Sequence, residues 1–332
     1  MQVLSRNGQR RFLDNLQRAV DMTLNKILMT SEDPIKIEEF KDLSSFSWFR
    51  VGGKARWFAQ VQDERALHRL WEVKPESVPV THLGAGSNVI VRDGGIDGLV
   101  VRLGRGFREI EQLSSSQIRV GAGNLCAQVA GKAQRMGLSG VEYLATIPGT
   151  IGGATVMNAG AYGGSFHERV VSVEGINANG VIVTLTPQDI QAGYRCTNIP
   201  TDVLVTHVVL DLEPGNPEVI TRQIDHFIEQ RKKTQPIRAK TGGSTFKNPV
   251  PLNGGEIKKA WQLVDEAGCR GLYHKGIRVS EKHCNFLINE DATSANAIEE
   301  LGDMVRDRVY QQSGVRLEWE IKRLGSKQEG KL

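Results

Sequence analysis

The chain is predicted to adopt an α+β fold, and three observations carry that expectation. Short apolar runs of strand character recur through the first two-thirds of its 332 residues. Apolar residues at helical spacing dominate the last third. Between them lie runs of small, glycine-rich sequence with too little side-chain bulk to build a core. The length allows two or three domains. Lys and Arg number 42 against 38 Asp and Glu, a net +4, so no electrostatic footprint for nucleic acid appears.

The elements follow in order. Arg6, Arg10, Arg11 and Arg18 give the start a basic cast, but no apolar h-region follows, so neither signal peptide nor membrane span is indicated. Asp14 and Asp21 argue against a transit peptide, and residues 1–45 read as an N-terminal helical extension. Residues 46–103 alternate short strands with one helical stretch, 63–72, as a small α/β unit does. Val78, Val80 and Leu83 mark a strand entering Gly84-Ala85-Gly86-Ser87-Asn88, and Val89-Ile90-Val91 leads out as another. A third glycine for the Rossmann pattern would fall on Val89, or on Cys126 if counted from Gly121, so that dinucleotide fold is disfavoured.

From 104 to 214 the signals are mostly strands, at 118–120, 170–175, 181–185 and 203–212. They are interrupted by 142–162, EYLATIPGTIGGATVMNAGAY. Both glycine runs expose bare backbone N–H groups of the kind that bind phosphates, although a buried turn has the same composition. Pro214-Gly215-Asn216-Pro217 is the clearest break, so a boundary is placed there. Ile220, Ile224, Phe227 and Ile228 then mark a helix that Gln235-Pro236 stops.

The next motif, KTGGSTFKNP at 240–249, presents a hydroxyl, an ammonium and an amide within five residues. That set suits an anionic, oxygen-rich ligand, and equally a surface turn ending at Asn248-Pro249. Ser294 is the expected N-cap of a closing helix whose buried stripe is Ile298, Leu301, Val305 and Val309. Residues 315–322 alternate as a half-buried strand, with Glu318 and Glu320 on a solvated face beside Arg316 and Lys322. Cys126, Cys196, Cys269 and Cys284 are far apart and histidines are scattered, which supports reduced thiols and no metal site.

Six segments in order resemble the UDP-N-acetylenolpyruvoylglucosamine reductase family. They are Phe49-Arg50-Val51-Gly52-Gly53, 84–88, 147–162, Tyr194-Arg195, 243–249 and Leu317-Glu318-Trp319-Glu320. The resemblance runs from about 46 to 325. It implies a vanillyl-alcohol-oxidase-like (PCMH-type) FAD-binding fold, with subdomains at 46–103 and 104–214 and a C-terminal α/β substrate-binding domain at 215–326. It also implies reduction of UDP-N-acetylglucosamine enolpyruvate to UDP-N-acetylmuramate by NADPH through FAD, in bacterial peptidoglycan synthesis. That would place the chain in cell-wall biogenesis, cell shape and cell division.

Within the resemblance, Arg195 and Glu320 stabilise the developing charge and Ser244 supplies the proton. Arg50, Gly84, Ala85, Gly86, Ser87, Asn88, Ile147, Pro148, Gly149, Gly152 and Gly153 would hold the flavin. Tyr194, Lys247, Asn248 and His283 would bind substrate, with Lys247 also the sequence-local candidate to support Ser244. Neither glycine loop contains His or Cys, so the FAD is expected to be non-covalent. Only 48 residues separate Arg195 from Ser244, which is short for the family's form with an added substrate-closing loop. A cytoplasmic monomer acting on small molecules, without nucleic acid or membrane partners, is expected. The competing readings are another flavin oxidase of the same fold and a non-catalytic flavin- or nucleotide-binding module.

Overall fold

A computed structural model describes residues 35–249 and 258–328. The expected helix at the start of the chain lies outside the described residues, apart from its last part. There the structure differs from expectation: Ile37–Asp42 is a strand, β1. It pairs antiparallel with β2 (Lys54–Val61), because β2 would otherwise leave an open edge with its apolar face unshielded.

The first unit is a four-stranded sheet in the order β1-β2-β5-β3, with β3 at Val80–His82 and β5 at Ile96–Leu103. Helix α1 (Glu64–Val73) packs Leu67, Leu70 and Trp71 onto it, and the Asp63 carboxylate caps its first turn by accepting from Ala66 N–H at 2.8 Å. Strand β4 (Val89–Val91) follows the first glycine turn and pairs away from this sheet.

The second unit is a five-stranded antiparallel sheet. Its strands are β6 (Ile110–Gln112), β7 (Gln117–Gly121), β8 (Val170–Ile176), β9 (Ile182–Leu185) and β10 (Leu204–Asp211), in the order β9-β8-β10-β7-β6. Helices α2 (Cys126–Arg135) and α3 (Ile151–Met157) help cover one face, and Ile118, Val120, Val129, Leu144, Ile151, Val208 and Leu210 fill the core. The next helix, α4 (Pro217–Thr234), was placed by sequence in the C-terminal domain. Instead Ile220 is buried beside Gly215, and Ile224 and Phe227 pack on this second core. Its apolar stripe is completed there.

The last unit joins α5 (Ala260–Glu266), a three-stranded sheet of β11 (Tyr273–His274), β12 (Ile277–Val279) and β13 (Leu287–Asn289), and α6 (Asn296–Ser313). Ile298, Leu301, Val305 and Val309 are buried as their spacing requires. The α6 cap differs from expectation. Asp93, two hundred residues away, accepts from the N–H groups of Ala295 and Asn296 and from the Ser294 hydroxyl at 2.7–2.9 Å. Ser294 contributes only a 3.1 Å bond to Asn296 N–H.

The 315–322 stretch is a regular strand only at its end, β14 (Lys322–Leu324), which runs parallel to β4. Arg92 adds an ion pair to buried Glu299 of α6 at 2.8 Å. The last unit is thereby tied to the strand that leaves the first glycine turn.

Candidate active site

The 84–88 turn connects β3 to β4. Gly86 has φ +69°, and a Cβ there would run into the Phe46 carbonyl, so only glycine fits. The N–H groups of residues 84–88 donate to no acceptor among the described residues, nor do those of Gly149 and Thr150. These two sets lie together. The Ser87 hydroxyl donates to the Pro148 carbonyl, and a Cβ on Gly84 would sit 2.6 Å from Thr150 Oγ1. Seven uncommitted backbone donors therefore line two touching turns.

The other expected flavin residues divide. Gly152 donates its N–H to the Ala122 carbonyl, and a Cβ there would meet the Ala122 Cβ at 3.2 Å. It is a close-packing glycine against the 122 segment. Gly153 is exposed, a Cβ there would make only an ordinary contact with Thr150 Oγ1 at 3.6 Å, and its N–H reaches the same oxygen at 3.4 Å. Ile147 N–H closes the preceding turn onto Leu144. Arg50, at φ +62°, is exposed and donates to the Ser45 carbonyl at 2.7 Å. Its turn meets the glycine turn through the backbone, where Trp48 N–H donates to Gly86 O.

The side-chain centre is assembled by backbone pairing of 245–247 with 318–320. Glu320 N–H donates to Thr245 O at 2.8 Å, Lys247 N–H donates to Glu318 O at 2.9 Å, and Phe246 bridges Trp319. This ladder sets Thr245 opposite Glu320, with Ser244 as its sequence neighbour. The same segment reaches the first turn: Lys322 N–H donates to Asn88 O at 3.0 Å, and Asn88 Nδ2 donates to Glu320 O at 3.4 Å. A Cβ on Gly243 would lie 4.0 Å from the Ser87 carbonyl. The Ser244 hydroxyl is half-buried and makes no hydrogen bond among the described residues.

Arg195 enters from a separate turn closed by the Gly193–Cys196 bridge. Its guanidinium donates to Gly160 O at 2.6 Å and Asn158 O at 3.3 Å, and Nε lies 2.9 Å from Glu320 Oε1. Asn158 (φ +41°), Tyr162 (φ +52°) and Arg195 (φ +56°) are all left-handed. Such non-glycine conformations cost about 1–3 kcal/mol each and persist where the surroundings fix them. Burial pushes the Glu320 carboxyl above its ordinary range, against the opposing charges of Arg195 and Lys247. It is paired with a cation, and its burial makes it easier to protonate than an exposed carboxylate.

The expected substrate-binding residues cluster near this centre in different ways. Tyr194 is half-exposed, with the Arg195 guanidinium 5.3 Å from its ring centroid. Asn248 accepts from Ala260 N–H at 3.0 Å and donates to Tyr194 Oη at 3.2 Å, so its carboxamide positions Tyr194. Lys247 pairs with Glu318 at 3.6 Å rather than with Ser244. His283 packs edge-on against Phe286 at 4.9 Å, and its Nδ1 accepts from Asn285 N–H at 3.3 Å. No contact joins its ring to Arg195, Ser244 or Glu320 among the described residues.

Sequence reasoning passed over two residues. The Asn285 carboxamide clamps both the N–H and the C=O of Phe246 at 3.0 and 2.8 Å. Asn158 donates to Gly193 O at 2.8 Å and accepts from Ser165 and His167, fixing the loops that hold Arg195. Neither leaves a sequence signal beyond a preference for turns, because the partners are 35 and 39 residues away. No metal-binding cluster occurs among the described residues.

Comparison with known proteins identifies the family. Residues 235–324 match the C-terminal domain of UDP-N-acetylenolpyruvoylglucosamine reductase, and residues 55–186 match an FAD binding domain. The Gluconobacter oxydans protein named UDP-N-acetylenolpyruvoylglucosamine reductase is 47% identical over 284 residues, covering 86% of this chain and 90% of that protein. The Rickettsia conorii protein of the same name is 42% identical over 295 residues, covering 88% and 98%. The crystal structure of the Thermus caldophilus reductase superposes with a TM-score of 0.73 at 31% identity, covering 88% of this chain and 99% of that one.

Proposed function

The chain belongs to the UDP-N-acetylenolpyruvoylglucosamine reductase family, and on that premise we propose how its residues divide the work. It reduces UDP-N-acetylglucosamine enolpyruvate to UDP-N-acetylmuramate with NADPH, in bacterial peptidoglycan synthesis. Bound FAD supplies the redox chemistry between the two substrates. The seven free N–H groups of 84–88, Gly149 and Thr150 suit the flavin's diphosphate, which accepts hydrogen bonds from bare backbone. Neither turn carries His or Cys, which supports non-covalent binding.

The chemistry left to the protein is electrostatic and protic. Reduction of the methylene carbon puts negative charge on the carbon bearing the carboxylate, and that charge spreads into the carboxylate oxygens. Arg195 offers a planar cation whose other contacts are neutral carbonyls, so it keeps its charge for the substrate. Glu320, raised by burial, adds no full negative charge when protonated and can donate a hydrogen bond to the same oxygens. Ser244, with its hydroxyl uncommitted, delivers the proton to the carbanionic carbon. The single observation that carries this reading is the Arg195–Glu320 ion pair set beside the Ser244 segment and the first glycine turn.

An oxidase of the same fold would not account for the C-terminal match over 235–324, and a bare binding module would not need the half-buried Arg195–Glu320 pair. Among the described residues no helix is long and apolar enough to cross a membrane. We place the protein in the cytoplasm as a monomer acting on small molecules. The test is anaerobic: reduce the purified protein with NADPH, then add the enolpyruvyl substrate and follow the visible band. Prompt return of the oxidised band is expected; a band that stays bleached would remove the substrate assignment.

A further inference from the structure

On the outer face of α2, away from the catalytic centre, a shallow hollow of about 560 Å³, open to solvent, lies between the helix and the residues around β6. Arg108, Lys132 and Arg135 line it, and no carboxylate does. None of the three makes an ion pair among the described residues. Three like charges around one hollow repel one another and gain nothing from the fold itself. The floor supplies a second, independent observation. Gly131 lies in the helix interior, where glycine is less stable than alanine. A Cβ added there would meet only Arg135 Nη1 at 3.6 Å, an ordinary contact, so internal packing does not demand the glycine. Together with Ala127 it keeps the floor of the cavity open.

We infer that this cavity binds a small phosphate-bearing molecule carrying at least two negative charges. The hollow is shallow and open to solvent, and its three cations lie close enough around it to meet the several charges of one compact polyanion. The site also adjoins the second glycine turn. Asn124, part of its lining, accepts from Ile151 N–H at 2.9 Å through its carbonyl, and Cys126 N–H donates to Gly149 O at 3.0 Å. An occupant bears on the segment that presents Gly149 and Thr150, so the flavin band is a second reporter of binding.

The test is calorimetric titration of the FAD-loaded protein with inorganic pyrophosphate, ADP and adenosine at low and moderate salt, followed by Arg108→Ser/Arg135→Ser and Gly131→Ala. Pyrophosphate and ADP should bind, adenosine should not, and affinity should fall as salt rises. Similar affinities for the two anions would assign recognition to phosphate groups alone; tighter ADP would assign it to a nucleotide. The double variant should weaken binding by about tenfold or more. Gly131→Ala should weaken it while raising Tm, which a merely structural glycine would not do. The inference is overturned if neither anion binds below millimolar concentration. It is equally overturned if the double variant binds as wild type does, or if the enolpyruvyl substrate displaces all of the bound anion.

Discussion

The flavin cradle and the catalytic trio differ in what they are made of. The cradle is backbone: two glycine turns, 61 positions apart at their nearest named contact, that touch through Ser87, Pro148, Gly84 and Thr150 and leave seven N–H groups free. The trio is side chains from three loops, each aimed by residues outside its own motif. Backbone sites are written as local composition, because only small residues allow close approach. Side-chain sites are written as positions, and their aim is supplied by remote partners such as Asn158 and Asn285. Glu318 and Glu320 make the point within three residues. They share one face, yet their side chains are 77% and 14% exposed, because the Arg195 turn covers only the second.

If the two regions act separately, variants should break one and spare the other. Ser244→Ala is expected to have the largest effect, lowering turnover by about 10²–10⁴-fold as loss of a positioned proton donor does. FAD content should be unchanged, as read by the absorbance ratio of the purified protein. Arg195→Met should cost about 10²–10³-fold in kcat, the scale for losing an electrostatic stabiliser of a developing anion. Arg195→Lys should recover little of it, since an ammonium cannot reach two carbonyls and a carboxylate in one plane.

On the cradle side, Gly84→Ala should weaken FAD by about tenfold, because overpacking costs about 1–3 kcal/mol and here forces the two turns apart. With FAD in excess, the second half-reaction should proceed at the wild-type rate, measured by stopped-flow absorbance. Asp93→Ala should lower stability by about 1–2 kcal/mol through loss of the α6 cap, seen in Tm.

The smallest effect is one of pH. Glu320 has a folded pKa above its unfolded value of 4.5, so the folded state holds more protons just above pH 4.5. Its contribution to stability is therefore present below that pH and lost as pH rises through the folded pKa. Glu320→Gln should remove that decline in a pH series of unfolding midpoints; an unchanged slope would detach the raised pKa from this residue.

Much of the fold was readable because periodicity reports burial. The helix expected at 63–72 is Glu64–Val73, and the strands expected at 118–120, 170–175, 181–185 and 203–212 all appear within one or two residues at either end. What escaped was decided by distant parts of the chain. Ile37–Asp42 is a strand because β2 needs a neighbour, and α4 belongs to the second core because Ile224 and Phe227 find their partners there. Asp93, not Ser294, caps α6, and no local pattern announces a cap from another unit. The catalytic residues were named through resemblance alone. Composition at 315–322 favoured a solvated face, and only the arrival of Arg195 buries Glu320.

The most direct test of this separation is single-turnover stopped-flow on Ser244→Ala under anaerobic conditions. NADPH should bleach its flavin at the wild-type rate, while mixing with the enolpyruvyl substrate should leave the band bleached. Loss of both half-reactions, or retention of both, would contradict the account.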